Sequence, residues 1–371
     1  MHKLSASPAK AALFAFLILG LAACLSPARA EESFVLGYYP AGMRRELPAD
    51  KVDFKILTHL CHAFIMPNPD GTIYYRDNFL YPELIEAAHR AGRKILVSIG
   101  GGGGGKAVES FPTVAADPKL RAKFIKSLLD FCAAQGYDGI DFDWEYPRDS
   151  TQRANHALLV TELRRAANKL GKPFLITMAN SGRLNSENAF DHRKLMEQLD
   201  WFNVMGYDFH GHWSSIAGHN APLYSVTPGS SGLPEGDHSA IDFLTRQLGI
   251  PPEKLLLGVP FYGFQLEATD INAPNNGGKY IDYNEIIMQW AEGGWDYHWD
   301  ETALAPYLTS TDRTKVITFD NPRSLALKCD YARVNHLRGV MIWALGQDIL
   351  QGRQLLLETL GKKKWEYGGK M

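Results

Sequence analysis

Eight β-rich runs that alternate with amphipathic segments predict an α/β protein, a (β/α)8 TIM barrel with a small α+β insertion domain. Most of these runs are continuously apolar, which is typical of parallel strands covered by helices. The chain has 371 residues, a length that accommodates one such barrel with an insertion. In barrels of this kind the active site lies at the carboxyl ends of the strands.

The elements follow from the hydrophobic pattern in chain order. The predicted barrel strands are Val35–Pro40, Ile56–Ile65, Lys94–Gly100, Tyr137–Glu145, Phe174–Asn180, Trp201–Asp208, Lys254–Phe264 and Gly339–Leu345. The helical patterns are Tyr81–Ala91, Pro118–Gln135, Gln152–Leu170, Asp191–Leu199, His238–Leu248, Ser324–Asn335 and about Gln351–Leu360.

The interval between the seventh and eighth strands, residues 265–338, is far longer than one barrel helix requires. It contains a helix-like segment, Asn284–Ala291, and a strand-like segment, Lys315–Phe319. We therefore expect an insertion that holds a small α+β subdomain and the seventh barrel helix. The barrel itself is expected to span 31–264 and 339–361, with 362–371 as a C-terminal tail.

The first 30 residues are predicted to be a signal peptide. Ala11–Ala23 is an apolar run too short to span a membrane but of the right length for a signal-peptide core. Ala28-Arg29-Ala30 matches a cleavage site, and Leu21-Ala22-Ala23-Cys24 resembles a bacterial lipobox, in which Cys24 would carry a lipid anchor. The sequence leaves this choice open. In either case we expect export, to the periplasm, the medium or a membrane surface.

The amino-acid composition limits the classes of binding partner that we expect. The formal net charge is −2, so nothing in the charge favours nucleic acid as a partner. Beyond Cys24 the cysteines are Cys61, Cys132 and Cys329, in no zinc-site spacing, and we expect buried free thiols. The many aromatic residues would suit a ring-lined cleft for a sugar.

Two motifs suggest cofactors and are rejected. Gly100–Gly105 followed by Lys106 fits part of a phosphate-loop template, but Ala107 stands where that template has a hydroxyl. The next helix is also expected well downstream, so that no helix N-terminus would face a phosphate. His210, His212 and His219 lack a second clustered set of ligands. We expect neither a metal nor a cofactor.

The strongest signal is a run of alternating acids in the fourth predicted strand: Asp141, Asp143 and Glu145. Alternation on a strand places all three on one face, where like charges raise each other's pKa. Glu145 lies nearest the carboxyl end and is the candidate general acid. Asp143 can bond to Glu145 or to a bound group, and Asp141 is expected to share a proton with Asp143. No second carboxylate stands out as an enzyme nucleophile.

These residues resemble the signature of the family 18 glycoside hydrolases, the chitinases. The resemblance runs from about Ser33 to about Asp348 and rests on several ordered motifs. They are Asp138-x-x-Asp141-x-Asp143-x-Glu145, Ser98-Ile99-Gly100-Gly101, Met205-Gly206-Tyr207-Asp208 and Met341-Ile342-Trp343.

The resemblance implies hydrolysis of β-1,4 linkages between N-acetylglucosamine units by a retaining mechanism in which the substrate's own acetamide attacks. It implies that Glu145 protonates the leaving oxygen, Asp143 orients the acetamide, Tyr207 donates to it and Asp208 supports the site. Trp343 is implied as the floor under the sugar. The further expected cleft residues are Tyr38, Phe64, Met178, Met205, Tyr146 and Gly101.

One position departs from the family's pattern. Phe264 stands where many members have Arg, which removes a cation near the cleft and affects the expected glycan type or chain length. Two alternatives stay open: another N-acetylglucosamine-containing glycan, such as peptidoglycan or an N-glycan core, or a chitin-binding lectin. Lectin-like members typically lack the acid at Glu145. We expect a monomer.

Overall fold

The computed structural model describes residues 34–102, 106–184, 190–225, 227–228 and 235–363, and the side chains of 106–108 are outside that description. The predicted signal peptide with its two processing sites, Gly103–Gly105 of the glycine run, and the tail from residue 364 therefore lie outside the described residues.

Eight parallel strands close into a barrel in the described part of the chain, which confirms the predicted fold. Around the barrel their order is β1, β14, β8, β7, β6, β5, β4 and β2, and β2 pairs again with β1. These strands are β1 Phe34–Pro40, β2 His59–Pro67, β4 Lys94–Gly100, β5 Gly139–Asp143, β6 Leu175–Ser181, β7 Trp201–Met205, β8 Leu255–Pro260 and β14 Gly339–Trp343. A short strand, β3 Ile73–Tyr74, pairs antiparallel with the end of β2.

Helices cover the outside of the barrel. They are α1 Pro82–Arg90, α2 Lys106–Ala116, α3 Pro118–Gln135, α4 Ser150–Ala167, α5 His192–Gln198, α6 Asp237–Asp242, α7 Tyr283–Glu292, α8 Pro322–Val334 and α9 Leu355–Lys362. A π-helical segment, Phe243–Gln247, continues α6, and single 3₁₀ turns occur at Ala41–Arg44, Ala49–Lys51, Asn168–Leu170 and Pro252–Lys254. None of the described helices is long and apolar enough to cross a membrane.

Helix α2 corrects one expectation. It begins at Lys106, directly after the glycine run, whereas the sequence predicted no helix until well downstream. Pro112 inside the helix hides the helical pattern, because proline disfavours a helix interior. The predicted helix over Pro118–Gln135 is confirmed. Its start is set by Asp117, whose carboxylate accepts hydrogen bonds from two backbone N–H groups.

The seventh predicted strand proves to be two strands in two sheets. β8 belongs to the barrel, and β9 Tyr262–Leu266 belongs to an antiparallel sheet ordered β10, β9, β13, β12, β11. Phe261 joins the two sheets, and its N–H donates to the carbonyl of Trp343 at 2.7 Å. The remaining strands are β10 Gly278–Asp282, β11 Trp295–Asp300, β12 Ala305–Ser310, β13 Val316–Thr318, β15 Ile349–Leu350 and β16 Arg353–Gln354. The second sheet thus starts at the mouth of the barrel.

The strand register determines which side chains enter the barrel. Asp141 on β5 is in register with Ser98 on β4 and with Thr177 on β6. Because side chains alternate along a strand, this layer faces inward, and Phe142 and Met178 in the next layer face the helices. The three described cysteines are buried free thiols, as expected.

Candidate active site

A cleft of about 530 Å³ opens at the carboxyl ends of the barrel strands, between the barrel and the second sheet. Its lining combines acids with aromatic rings. The lining residues are Tyr38, Phe64, Gly102, Asp143, Glu145, Tyr146, Ala179, Ser181, Gly182, Arg183, Met205, Tyr207, Asp208, His212, Trp213, Tyr262, Phe264, Tyr280 and Trp343.

Asp141 lies below this cleft, fully buried, with both carboxylate oxygens hydrogen-bonded. One oxygen accepts from Tyr38 and Ser98, each at 2.7 Å. The other accepts from Thr177 at 2.6 Å and from the amide of Asn203 at 2.9 Å. Burial raises the pKa of Asp141, and these four hydrogen bonds oppose that rise. Four strands thus supply donors for one carboxylate.

Asp143 and Glu145 form a carboxyl pair at the mouth. Burial raises the pKa of Asp143, and the charges of Glu145 and Asp141 raise it further. Burial and the charge of Asp208 raise the pKa of Glu145, and a hydrogen bond between the two carboxyl groups raises the pKa of Asp143 further and opposes the rise at Glu145. The other oxygen of Asp143, Oδ1, has no hydrogen-bond partner among the described residues. From the sequence we expected Asp141 and Asp143 to share a proton. In the structure, Asp141 accepts hydrogen bonds from four other residues, and Asp143 is hydrogen-bonded to Glu145.

Glycines let the end of β4 approach the acids. At Gly100 a Cβ atom would lie 2.1 Å from the carbonyl oxygen of Asp143, so only glycine fits. Gly101 has φ +97°, and its N–H donates to that same carbonyl at 2.8 Å. A Cβ on Gly101 would lie 2.7 Å from the Phe64 ring. Gly101 therefore supports the cleft from behind and does not line it.

Trp343 ends β14 and faces the cleft, packed between two other rings. Its ring is nearly parallel to that of Phe64, with centroids 5.6 Å apart, and it tilts against Tyr38 at 5.5 Å. Since Tyr38 also donates to Asp141, the aromatic floor and the acid layer are connected through one side chain.

Asp208 follows β7 with φ 61°, a left-handed conformation that is uncommon outside glycine. Its N–H donates to Asn220 at 2.9 Å, and its carboxylate accepts from the hydroxyl of Tyr262 at 2.5 Å. Burial raises the pKa of Asp208, and the bond from Tyr262 opposes the rise. Its neighbour Tyr207 is buried, with a hydroxyl 3.7 Å from the sulfur of Met341.

Most residues expected from the sequence meet in this cleft. Those that line it are Glu145, Asp143, Tyr207, Asp208, Trp343, Met205, Tyr38, Phe64 and Tyr146. Asp141 and Gly101 lie directly behind the lining. Met178 is a correction: it is 1% exposed, in the layer that faces the helices, and its neighbour Ala179 lines the cleft instead. An apolar run does not show which of its two faces points inward.

Several lining residues were not predicted. They are Gly102, Ser181, Gly182, Arg183, His212, Trp213, Tyr262, Tyr280 and Ala179, whereas Phe264 was already expected near the cleft. Trp213 could have been found, because a tryptophan in a loop soon after a strand end is exposed to the mouth of a barrel. Tyr280 could not, since the second sheet brings it there. Of the three histidines considered for a metal, His212 packs on Trp213 at 4.8 Å, and His219 bonds to Asp300 at 3.1 Å.

The barrel and the site define the class: buried acids with raised pKa values beside an aromatic floor are the apparatus of a glycoside hydrolase. The sequence model of glycosyl hydrolases family 18 matches residues 35–348, and the chain belongs to that family.

Relatives agree with this assignment. The chain is 34% identical over 284 residues to "Probable chitinase 2" of Drosophila melanogaster, a match that covers 70% of this chain and 57% of the relative's own length. Its fold is similar to the Group IV chitinase of Ostrinia furnacalis in complex with allosamidin, with a TM-score of 0.81, 30% identity, and coverage of 89% and 98% of the two chains. A family 18 chitinase of Cycas revoluta in complex with (GlcNAc)3 gives 0.78 and 28%, covering 89% and 99%.

Proposed function

We propose that this protein is a chitinase that hydrolyses β-1,4 linkages between N-acetylglucosamine units, with retention of configuration and with the substrate's acetamide as the nucleophile. The observation that carries the proposal is the arrangement of Asp143, which is hydrogen-bonded to Glu145 while its Oδ1 has no partner among the described residues. That free oxygen, at the edge of a ring-lined cleft, suits an acetamide N–H.

Protons and bonds balance as follows. When the acetamide N–H donates to Asp143, the proton of the pair resides on Glu145, which gives it to the glycosidic oxygen as that oxygen leaves C1. The acetamide carbonyl oxygen attacks C1 and forms an oxazolinium ion, whose positive charge Asp143 stabilises. Glu145 then takes a proton from water as the water oxygen attacks C1 and opens the ring. The proton returns to the pair, and configuration is retained.

The neighbouring residues orient the sugar in this mechanism. Trp343 stacks under the sugar ring, and the hydroxyl of Tyr207, whose partner among the described residues is the Met341 sulfur, donates to the acetamide oxygen. Asp208 is the third acid in the cleft, and Tyr262 engages its carboxylate. This bond favours a supporting role for Asp208 over that of a nucleophile.

The direct test is incubation with N-acetylglucosamine oligomers and, in parallel, with their fully deacetylated counterparts. We expect cleavage of the first and none of the second, since glucosamine units lack the acetamide oxygen. NMR should show the fresh reducing end first as the β-anomer. Efficient cleavage of deacetylated chains would point to an enzyme nucleophile, and Asp208 would be the first candidate.

The alternative glycans are separated by the same assay. Peptidoglycan fragments and N-glycan cores contain N-acetylglucosamine, and cleavage of either in preference to chitin oligomers would replace the proposed substrate. A protein that binds oligomers without cutting them would be a lectin. We also propose that the protein is exported, which the apolar run Ala11–Ala23 supports. That it is a monomer stays a prediction. Mass spectrometry of the mature N-terminus distinguishes cleavage after Ala30 from lipidation at Cys24.

A further inference from the structure

Arg183 is the one lysine or arginine among the lining residues of the cleft in the described part of the chain. It follows β6 in the sequence Ser181-Gly182-Arg183. A Cβ on Gly182 would lie 2.4 Å from the carbonyl oxygen of Met205, so the ends of β6 and β7 are in close contact there. The N–H of Arg183 donates to the hydroxyl of Ser181 at 3.1 Å. This local geometry directs its side chain toward the loop after β7.

The guanidinium binds the backbone of Asp208. Its Nε donates to the Asp208 carbonyl oxygen at 2.8 Å, and its Nη2 donates to the same oxygen. The residue so held is the one with φ 61°, which neighbouring groups must stabilise because its intrinsic preference is unfavourable. Asn220 holds the N–H side of Asp208, and Arg183 holds the carbonyl side.

The same guanidinium lies 5.1 Å from the centroid of the Trp213 ring. Trp213 is 46% exposed, and its ring also contacts that of His212 at 4.8 Å. Phe264 contacts the Trp213 ring edge-on at 5.2 Å. The side chain of Arg183 therefore contacts two residues of the loop after β7, Asp208 and Trp213, that both line the cleft.

Arg183 also contributes charge at the reacting acid. The titratable groups that shift the pKa of Glu145 are Asp208, Asp143, Tyr146 and Arg183. Burial raises the pKa of Tyr207, and the charge of Glu145 adds to that rise. Burial and Asp208 raise the pKa of Glu145, whereas Arg183 lowers it and also lowers the pKa of Asp208. Since Phe264 stands where many family members have Arg, Arg183 provides the positive charge instead, from the loop after β6.

We propose that Arg183 is a positioning residue of the reaction: its forked contact holds Asp208 and orients Trp213, and its charge balances the acids of the cleft. The proposal rests on the proposed function for its kinetic consequences. Lysine retains the charge but loses the fork, and methionine loses both.

The kinetic test compares Arg183→Met and Arg183→Lys on an N-acetylglucosamine tetramer across pH. We expect Arg183→Met to lower kcat/KM by about 10- to 100-fold, the effect of losing a charge-assisted hydrogen bond at a working site. The alkaline limb of its pH profile should move to higher pH, because Glu145 then holds its proton more tightly. Arg183→Lys should keep the limb in place and raise KM. An unchanged kcat/KM and profile in Arg183→Met would overturn the proposal.

Arg164 is the matched control. It donates to two backbone carbonyls, those of Gln198 at 2.8 Å and Phe174 at 3.0 Å, but outside the cleft lining. Arg164→Met should lower Tm and leave the pH profile unchanged. If Arg183→Met behaves in the same way, its role is structural only and the proposal is wrong.

A second readout does not require activity. Hydrogen exchange followed by mass spectrometry should show faster deuterium uptake over residues 207–213 in Arg183→Met than in the wild type, with Arg183→Lys between them. Equal uptake in all three would refute the positioning role even if the enzyme were active. If the wild type fails to cut any oligomer, the proposed function falls, and this measurement still decides the role of Arg183.

Discussion

Asp141 and Asp143 of β5 and Glu145 of the loop after it are evenly spaced in sequence. The structure nevertheless gives them two different environments, one around Asp141 and one around the Asp143–Glu145 pair. Asp141 has four donors from four strands, and its hydrogen-bonding capacity is used within the protein. Asp143 and Glu145 are hydrogen-bonded to each other, and within the described part of the chain one oxygen of Asp143 has no hydrogen-bond partner. A buried carboxylate that accepts several hydrogen bonds within the protein has a structural role. One that accepts too few has hydrogen-bonding capacity left for a ligand.

The largest effect should come from Glu145, the member of the pair nearest the substrate. Glu145→Gln should lower turnover by about 10²–10⁴-fold, because the amide cannot donate a proton to the leaving oxygen. Calorimetry should show that oligomers still bind. Glu358→Gln, which changes an exposed ion pair, is the control and should leave turnover intact. Near-native turnover in the Glu145 variant would remove it from the role of acid.

Asp143→Ala should lower kcat by about 10²-fold even though the acid remains, because an acetamide that can rotate is no longer held near the anomeric carbon. Steady-state kinetics on the tetramer measures this loss. A cyclic thiazoline that mimics the oxazolinium should inhibit the wild type competitively and bind this variant more weakly. Equal inhibition of both would show that Asp143 does not contact the acetamide.

Asp141→Asn tests whether Asp141, whose two oxygens accept four hydrogen bonds within the protein, acts on the Asp143–Glu145 pair through its charge. We expect activity to fall by about 10-fold, since the amide N–H₂ cannot accept hydrogen bonds and two of the four donors then lose their acceptor. Removing the negative charge lowers the pKa of Asp143, whose rise is partly due to Asp141. Both limbs of the pH–rate bell should therefore move to lower pH, and the limbs report the Asp143–Glu145 pair rather than one residue. An unmoved bell would mean that Asp141 is electrostatically separate from the pair.

Gly101→Ala tests how the chain positions the pair from behind. Its Cβ would collide with Phe64, so stability should fall by about 1–3 kcal/mol beyond the cost of a left-handed alanine. KM should rise as Phe64 shifts in the cleft. Gly92→Ala is matched, with φ +69° and nothing within 4 Å of the added Cβ, and should cost only about 1 kcal/mol. Denaturant unfolding and kinetics on both variants separate strain from collision.

The smallest expected effect is on stability against pH. The pKa of Asp143 is raised above its unfolded value of about 3.9, so the folded chain binds this proton more tightly. The stabilisation that this proton contributes is therefore fully present below about pH 4 and is lost as the pH rises through the folded pKa. Asp143→Asn cannot ionise, and its Tm should exceed that of the wild type by about 2–4 °C at neutral pH, with the difference vanishing near pH 3. A difference that is independent of pH would contradict this account.

The barrel strands were predictable because a strand that helices cover leaves a continuous apolar run, and the acids interrupt one such run at every second position. The inward face of each run was less predictable. Asp141 and Glu145 identify the inward face of β5 by their charge, whereas Leu175–Ser181 has few polar residues in its first half, and Met178 was placed on the wrong face. Helix α2 was missed because Pro112 obscures its pattern.

The sequence by itself determined the eightfold alternation and the alignment of three acids on one face, because both are local patterns along the chain, and its resemblance to the family implied the ring at Trp343. Only the tertiary structure decided that Asp141 receives four donors, that Asp143 turns to Glu145, and that Arg183 reaches Asp208 and Trp213. Apart from the Asp143–Glu145 pair, those contacts join residues that are 25 to 103 positions apart, and their partners are set by strand register and by where the chain changes sheets. Local periodicity contains no information about either, so the acids were predictable and their individual chemistry was not.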